Sequence, residues 1–378
     1  MARFAIDVTA CWRPQRVGMV TVATELTRAL VPVGSRDRFV LLCSRERPAA
    51  MRELDCEAFF SPYRHELALK SRWLPAIEPL LEADAVLYPY WPSPPFRRAG
   101  APPAVIFVHD LAFRLRPDEV PWQQRLYFRT VLPRALRQAA AVLVPSDTTR
   151  DDLVRLYPMA ELESRVHLIP EGLPPAVEPG TLPESIEPGF VLAVGTVEPR
   201  KNYPRLLTAY RHLRGRAVPF IINGRPGVPQ LVIAGRPGWA YGDTLRRIQA
   251  EPGVKYLGHV DEPTLEALYR SASVLVFPSL YEGFGLPLLE AMAHGIPAVV
   301  AGAGALPELA SGAALSVDPE DPNAIAGALE RLLADESLRR RLGEEGRSRA
   351  RGYTWETAAE RTLDVLHRVS KKSEKRAA

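Results

Sequence analysis

Cysteine is scarce in this sequence: three in 378 residues, at Cys11, Cys43 and Cys56. There is no C-x-x-C pair and no histidine at ligand spacing, which excludes a disulfide scaffold and a structural zinc site and fits a reducing compartment. Lysine is nearly as rare, confined to Lys70, Lys201, Lys255, Lys371, Lys372 and Lys375, so the net charge of +4 is almost all arginine. With 37 prolines beside it, this excess reads as the coding bias of a GC-rich genome. No aromatic-interleaved basic stripe marks a nucleic-acid partner. Long apolar runs are also missing. The longest uncharged one, Ala139-Ala140-Ala141-Val142-Leu143-Val144, falls far short of the roughly 20 residues a membrane span needs. No apolar segment follows Met1-Ala2-Arg3 to act as a secretion signal. The expectation is a soluble, cytoplasmic protein.

What is present is ordinary for a globular chain, with 47% apolar and 24% charged residues, and the length points to two domains. Short β-branched runs alternate with segments of helical period, the pattern of parallel α/β sheets. Strands are expected at Phe4–Val8, Phe39–Cys43, Ala85–Tyr88, Ala104–His109, Ala141–Pro145 and Val166–Ile169. Helices are expected at Met19–Leu30, Glu66–Leu81, Pro121–Gln138 and Asp147–Tyr157. A proline- and glycine-rich stretch from Pro170 to Gly189 reads as a linker. The pattern then restarts, with strands at Phe190–Val194, Leu231–Ala234, Val254–Leu257, Val274–Phe277, Ala298–Val300 and Leu315–Val317. Helices are expected there at Pro204–Leu213, Glu262–Ser271, Pro287–His294, Pro322–Ala334 and Ser337–Ala350, and a last one runs from Trp355 to Val369. The fold class is α/β, two Rossmann-like doubly wound parallel-sheet domains over 1–175 and 187–352 facing across a cleft, followed by a terminal helix and charged tail over 353–378. Ligands bind at the carboxyl edges of such sheets.

Three segments carry chemistry at those edges. The first runs from Phe277 to Ala293: a buried strand, a loop holding Glu282-Gly283-Phe284-Gly285-Leu286, then a helix with Pro287 at its opening and Glu290 on its first turns. Backbone N–H groups and the positive helix end suit phosphate or sugar oxygens, and the two carboxylates suit paired hydroxyls. The rival reading makes both acids solvated and the glycines a plain turn. The second segment, Val194 to Asn202, places Arg200 and Lys201 at a strand-to-helix turn where they can neutralise a diphosphate; an ordinary basic loop is the alternative. In the third, a strand delivers His109 to a sheet edge, as either a functional or a structural histidine. A loop after Asp7 leads to Gly18 at the start of a helix, another ligand-facing position. Walker A, serine-elbow, H-E-x-x-H and EF-hand patterns are absent, and so is D-x-D, so no metal site is expected.

With these residues assembled, the chain resembles the family 4, group 1, glycosyltransferases of the GT-B fold, retaining enzymes that use nucleotide-sugar donors, and within them a mannosyltransferase-like subset. Gly195-Thr196-Val197-Glu198-Pro199-Arg200-Lys201-Asn202 is similar to the family's phosphate loop "GTLEPRKN". Glu282 and Glu290 match its E-x7-E pair. Leu231 to Gly235, Tyr256 to Val260, Leu268 to Ala272, Gly304 to Glu308 and Tyr353-Thr354-Trp355 match further landmarks. His109-Asp110-Leu111 and Ile169-Pro170-Glu171-Gly172 match more loosely, with Glu171 where the family has asparagine. The family's "G-I-G-R-Y" stands here as Gly18-Met19-Val20-Thr21-Val22.

The resemblance implies an N-terminal acceptor domain, a C-terminal donor domain and a last helix crossing back to the first. Arg200 and Lys201 would bind the donor diphosphate, and Glu290 the ribose. Glu282 and the backbone of Gly283, Phe284, Gly285 and Leu286 would face the donor sugar and phosphates. His109 would sit by the sugar, and Gly18 would carry a further donor contact. The catalytic set is then Glu282, His109 and Lys201, with no cofactor beyond the nucleotide-diphosphate sugar and no buried carboxylate for a covalent intermediate. The implied activity is transfer of a hexose, GDP-mannose favoured, to a glycan, lipid-linked or small-molecule acceptor in polysaccharide biosynthesis. Arginines between Arg97 and Arg137 read as solvated helix faces, or else as a basic surface for an anionic lipid-linked acceptor or peripheral contact with the inner face of a membrane. A sugar-nucleotide epimerase, a phosphorylase and a non-catalytic sugar-nucleotide sensor remain the rivals. An oxidoreductase lacks its G-x-G-x-x-G.

Overall fold

The computed structural model describes residues 1–11, 18–63, 68–90, 93–216, 220–222 and 225–377. Two compact units divide the chain. The first comprises Met1–Leu111, Gln123–Gly172 and Tyr353–Ala378, and the second Ala112–Trp122 and Leu173–Gly352.

In chain order the strands are β1 (Arg3–Asp7), β2 (Arg38–Cys43), β3 (Glu57–Phe60), β4 (Ala85–Tyr88), β5 (Ala104–Phe107), β6 (Ala139–Val144), β7 (Val166–Leu168), β8 (Val191–Val194), β9 (Phe220–Ile222), β10 (Arg225–Gly227), β11 (Leu231–Ala234), β12 (Val254–Gly258), β13 (Val274–Phe277), β14 (Ala298–Ala301) and β15 (Leu315–Val317). The helices of eight or more residues are α1 (Gly18–Val33), α2 (Trp122–Gln138), α3 (Asp147–Leu156), α4 (Tyr203–Gly215), α5 (Gly242–Ala250), α6 (Glu262–Ser271), α7 (Leu286–Ala293), α8 (Pro322–Ala334), α9 (Glu336–Ala350) and α10 (Trp355–Ala377).

Among the described residues the first unit holds a seven-stranded sheet in the order β3-β2-β1-β4-β5-β6-β7, every pair parallel. Its inner strands are buried on both faces, which is why they read as unbroken apolar runs rather than alternating ones. Helix α10 packs along α1 and against β4 and β6, with the His367 ring edge-on to Phe4 and its Nε2 2.9 Å from Asp37. The second unit holds a six-stranded parallel sheet, β12-β11-β8-β13-β14-β15, and a β9–β10 antiparallel ribbon. Leu206 and Leu213 of α4 and Ile325, Leu329 and Leu332 of α8 join Val191, Ile233 and Val276 of the sheet in one apolar core. Helices α7 and α9 pack together elsewhere in the unit. They approach so closely that a Cβ on Gly343 would lie 2.2 Å from the Gly295 carbonyl oxygen. Side-chain caps start several helices: Ser146 for α3, Asp261 for α6, Asp321 for α8 and Asp335 for α9.

Several expectations are corrected. The helix expected over Glu66–Leu81 is broken among its described residues into a wide π turn (Leu69–Trp73), one α turn (Leu74–Ile77) and a 3-10 turn (Glu78–Leu80). Pro75 and Pro79 each remove a backbone donor there; Glu66 and Leu67 lie outside the described residues. Strand β5 ends at Phe107, so His109 stands in the loop beyond it, although the Val108 N–H still donates to Leu143. Strands β3, β9 and β10 and helix α5 were not expected.

Candidate functional site

In the second sheet β8 lies between β11 and β13, and the chain runs outward from it in both directions. That reversal opens a crevice beyond the carboxyl ends of β8 and β13, where open α/β sheets bind ligands. Two loops leave from that point. The β8 loop begins at Gly195, whose φ of +149° suits glycine, and an added Cβ there would press on Lys201 Cε at 3.2 Å. It continues through a 3-10 turn, Pro199–Lys201, to Asn202 in the left-handed region at φ 60°. The buried Asn202 amide donates to the Pro278 carbonyl (3.1 Å) and the Pro319 carbonyl (2.7 Å). The Leu280 N–H donates to Arg200 O at 2.8 Å. These bonds lock the two loops together.

At their junction sits Glu282. Its Oε2 accepts from Arg200 Nη1 at 2.7 Å and its Oε1 from Lys201 Nζ at 2.6 Å. Arg200 also donates to the Tyr281 carbonyl (2.7 Å) and to Glu198 Oε1 (2.9 Å), and Lys201 Nζ lies 4.7 Å above the Phe277 ring. Burial works against ionisation of Glu282, but the two cations outweigh it and hold the carboxyl down to about 2. Gly304 backs the cluster: at φ +60°, any Cβ would meet the Glu282 carbonyl oxygen at 2.6 Å and its nitrogen at 2.7 Å. Glu282 is therefore no solvated surface acid, and both of its oxygens are taken by cations.

Helix α7 opens beyond this cluster. Gly285 caps it at φ +117°, with no side-chain cap bond, and Pro287 takes the second helical position rather than the first. The N–H of that position has no intrahelical partner to lose. Gly283 and Phe284 are buried between Glu282 and the cap. Glu290, half-buried on the same helix, accepts from the Tyr269 hydroxyl at 2.6 Å. Burial pushes its carboxyl up to about 7, against the pull of the Tyr269 hydrogen bond and His294. The structure thus brings Arg200, Lys201 and Glu282 into direct contact and sets Gly283 to Leu286 and Glu290 on the same loop and helix.

His109 and Gly18 belong to the first unit. His109 stacks on Phe107 at 4.5 Å, and its Nε2 bonds the Pro89 carbonyl at 2.8 Å. Its Nδ1 is buried, 3.8 Å from the carboxylate of buried Glu171. Gly18 is exposed at the start of α1, and an added Cβ there meets nothing within 4 Å; residues 12–17, the loop before it, lie outside the described residues. Asp7 is buried at the end of β1, where it accepts from the Thr9 N–H and hydroxyl and lies 3.9 Å from Lys70 Nζ.

Sequence reasoning assigned no role to Asn202, Glu198 or Tyr269. Asn202 had a signal, since asparagine is the non-glycine residue most at home at positive φ. The partners of Glu198 and Tyr269 lie in distant segments and had none. Among the described residues no group of three or more His, Cys, Asp or Glu side chains is placed to hold a metal ion, and no helix is long and apolar enough to cross a membrane.

A sequence model described as "Glycosyl transferases group 1" matches residues 181–349, and one described as "Glycosyltransferase Family 4" matches residues 17–177. The O-antigen chain mannosyltransferase B of Escherichia coli is 32% identical over 272 residues, 69% of each chain. The MMP alpha-(1->4)-mannosyltransferase of Mycolicibacterium hassiacum is 33% identical over 71% of this chain and 66% of its own. Among solved structures, sucrose-phosphate synthase from Thermosynechococcus elongatus superposes with a TM-score of 0.71 at 22% identity, covering 98% of this chain and 99% of its own. HepE of Anabaena, in complex with UDP and glucose, gives 0.71 at 17% identity over 97% and 100%. The fold is that of the GT-B glycosyltransferases, and the chain belongs to the family 4, group 1, glycosyltransferases.

Proposed function

We propose that this glycosyltransferase moves a hexose from a nucleotide-diphosphate sugar to an acceptor hydroxyl with retention at the anomeric carbon. The observation that carries the reading is the Arg200–Lys201–Glu282 cluster at the switch point of the second sheet. As the bond between the anomeric carbon and the diphosphate breaks, its electron pair stays with the phosphate. Arg200, Lys201 and the positive end of α7 meet that charge where it develops. No step calls on a metal.

Both oxygens of Glu282 are engaged by cations, which makes it a poor nucleophile and argues against a covalent glycosyl intermediate. The acceptor oxygen instead attacks from the face the diphosphate leaves, and its proton passes to a phosphate oxygen. Glu282 orients the two cations and faces the sugar, Glu290 takes the ribose hydroxyls, and His109 is the first unit's candidate for contact with a reacting sugar. GDP-mannose is the favoured donor, since the two curated relatives described above are mannosyltransferases by name. A glycan or lipid-linked alcohol is the favoured acceptor.

Thermal shift against GDP, UDP, ADP and dTDP tests the donor class. GDP should raise the melting temperature most, and turnover of GDP-mannose should survive a chelator. No shift with any nucleoside diphosphate would remove the reading.

A further inference from the structure

Glu290 stands on a helix with a side chain that turns freely unless something holds it, and the structure shows what does. Tyr269 of α6 is 3% exposed, and its hydroxyl donates to Glu290 Oε2 at 2.6 Å. Among the described residues Oε1 takes no hydrogen bond. The Tyr269 ring is itself fixed, stacked on His294 at 5.3 Å and 19°. His294 is held at both ring nitrogens: Nδ1 lies 2.8 Å from the Glu290 carbonyl oxygen and Nε2 2.9 Å from Glu266 Oε2. Arg270 Nε binds the other Glu266 oxygen at 2.7 Å. A chain of fixed groups therefore runs from Arg270 through Glu266, His294 and Tyr269 to one oxygen of Glu290, leaving the other open.

We propose that Tyr269 is a positioning residue for the nucleotide, anchoring Glu290 by one oxygen so that the second is presented to the ribose hydroxyls. The proposal rests on the reading of Glu290 as the ribose-binding carboxylate. An anchored carboxylate has already lost the rotamer freedom that an unanchored one would lose on binding. The same hydrogen bond favours the charged form, the form that accepts from two hydroxyls, against burial and the nearby carboxylates of Glu262 and Glu266.

The test is calorimetric binding of GDP and UDP, each beside its 2′,3′-dideoxy counterpart, to the full chain as wild type, Y269F and E290Q. Y269F keeps the ring and its stack and removes only the donor. Wild type should prefer the ribose form by about tenfold or more, in line with hydrogen bonds to a charged group, and E290Q should lose that preference. Y269F should lose about three- to tenfold of the ribose-form affinity, with dideoxy binding unchanged. A preference intact in Y269F but lost in E290Q overturns the role of Tyr269. An equal fall for both forms in Y269F overturns it too, since that marks a packing loss. A preference intact in E290Q removes Glu290 from the ribose, and the underlying reading falls with the proposal.

Discussion

Replacing Glu282 by glutamine takes one charge from a cluster that sets two cations against the carboxylates of Glu198 and Glu282. A carboxyl held at about 2, against its ordinary 4.5, is favoured in its charged form by about 3 kcal/mol at neutral pH. E282Q should therefore be destabilised by about that amount at pH 7, a large share of a typical domain's stability but short of all of it. The depressed pKa fixes the sign. The contribution of Glu282 is complete above the unfolded value near 4.5 and disappears as pH falls through about 2, so the gap to wild type should shrink to roughly half by pH 3. Urea unfolding of both proteins across that range reads the difference. Binding gives an independent measure. Freed of one carboxylate, Arg200 and Lys201 should hold a nucleoside diphosphate at least as tightly as before, while turnover drops. Equal stability at pH 7, or a gap that does not close in acid, would refute the ion-pair argument. Diphosphate affinity falling in step with turnover would reduce Glu282 to a support for the cations.

Lys201→Ala should weaken nucleoside diphosphate binding by roughly 10- to 100-fold, the range for a hydrogen bond to a charged group, with turnover falling alongside; unchanged donor kinetics would exclude it from the site. With the Glu290 carboxyl near 7, donor affinity should fall by about fivefold between pH 7 and pH 6 as that group takes a proton, and E290Q should flatten the profile. Gly304→Ala forces a side chain into positive φ against the Glu282 backbone, so it should cost about 1–3 kcal/mol and lower the melting temperature and turnover together. His109→Ala should depress turnover with GDP affinity retained, measured by steady-state kinetics and calorimetry; full activity would leave His109 a structural residue.

The parts of the fold legible in the sequence were those whose cause is local. The inner strands β4, β5, β8, β11 and β13 are short apolar runs because parallel sheets bury both faces. Helices α6 and α8 begin at caps visible as Asp261 and Asp321 and open with proline. Strand β3 is not legible locally, because Glu57-Ala58-Phe59-Phe60 sits at a sheet edge, half-exposed and without a clear apolar pattern. Helix α5 is only nine residues long, and Leu245 and Ile248 give it a single apolar repeat, too short a stretch to read as a period.

By itself the sequence determined the class of sheet, the strand-to-loop exits and the residue types waiting at them: Arg200 and Lys201 after one strand, Glu282 and Glu290 after another. Which of those residues meet was decided by tertiary structure alone. Parallel strands separated by some eighty residues in the chain lie side by side, and no local pattern reports that neighbour. Pairing β8 directly with β13 brings Glu282 between Arg200 and Lys201, reversing the preference of a buried carboxyl for its neutral form. The same long-range packing sets the Tyr269 hydroxyl against Glu290, and there, with a hydroxyl in place of two cations, burial prevails and the carboxyl titrates near neutrality.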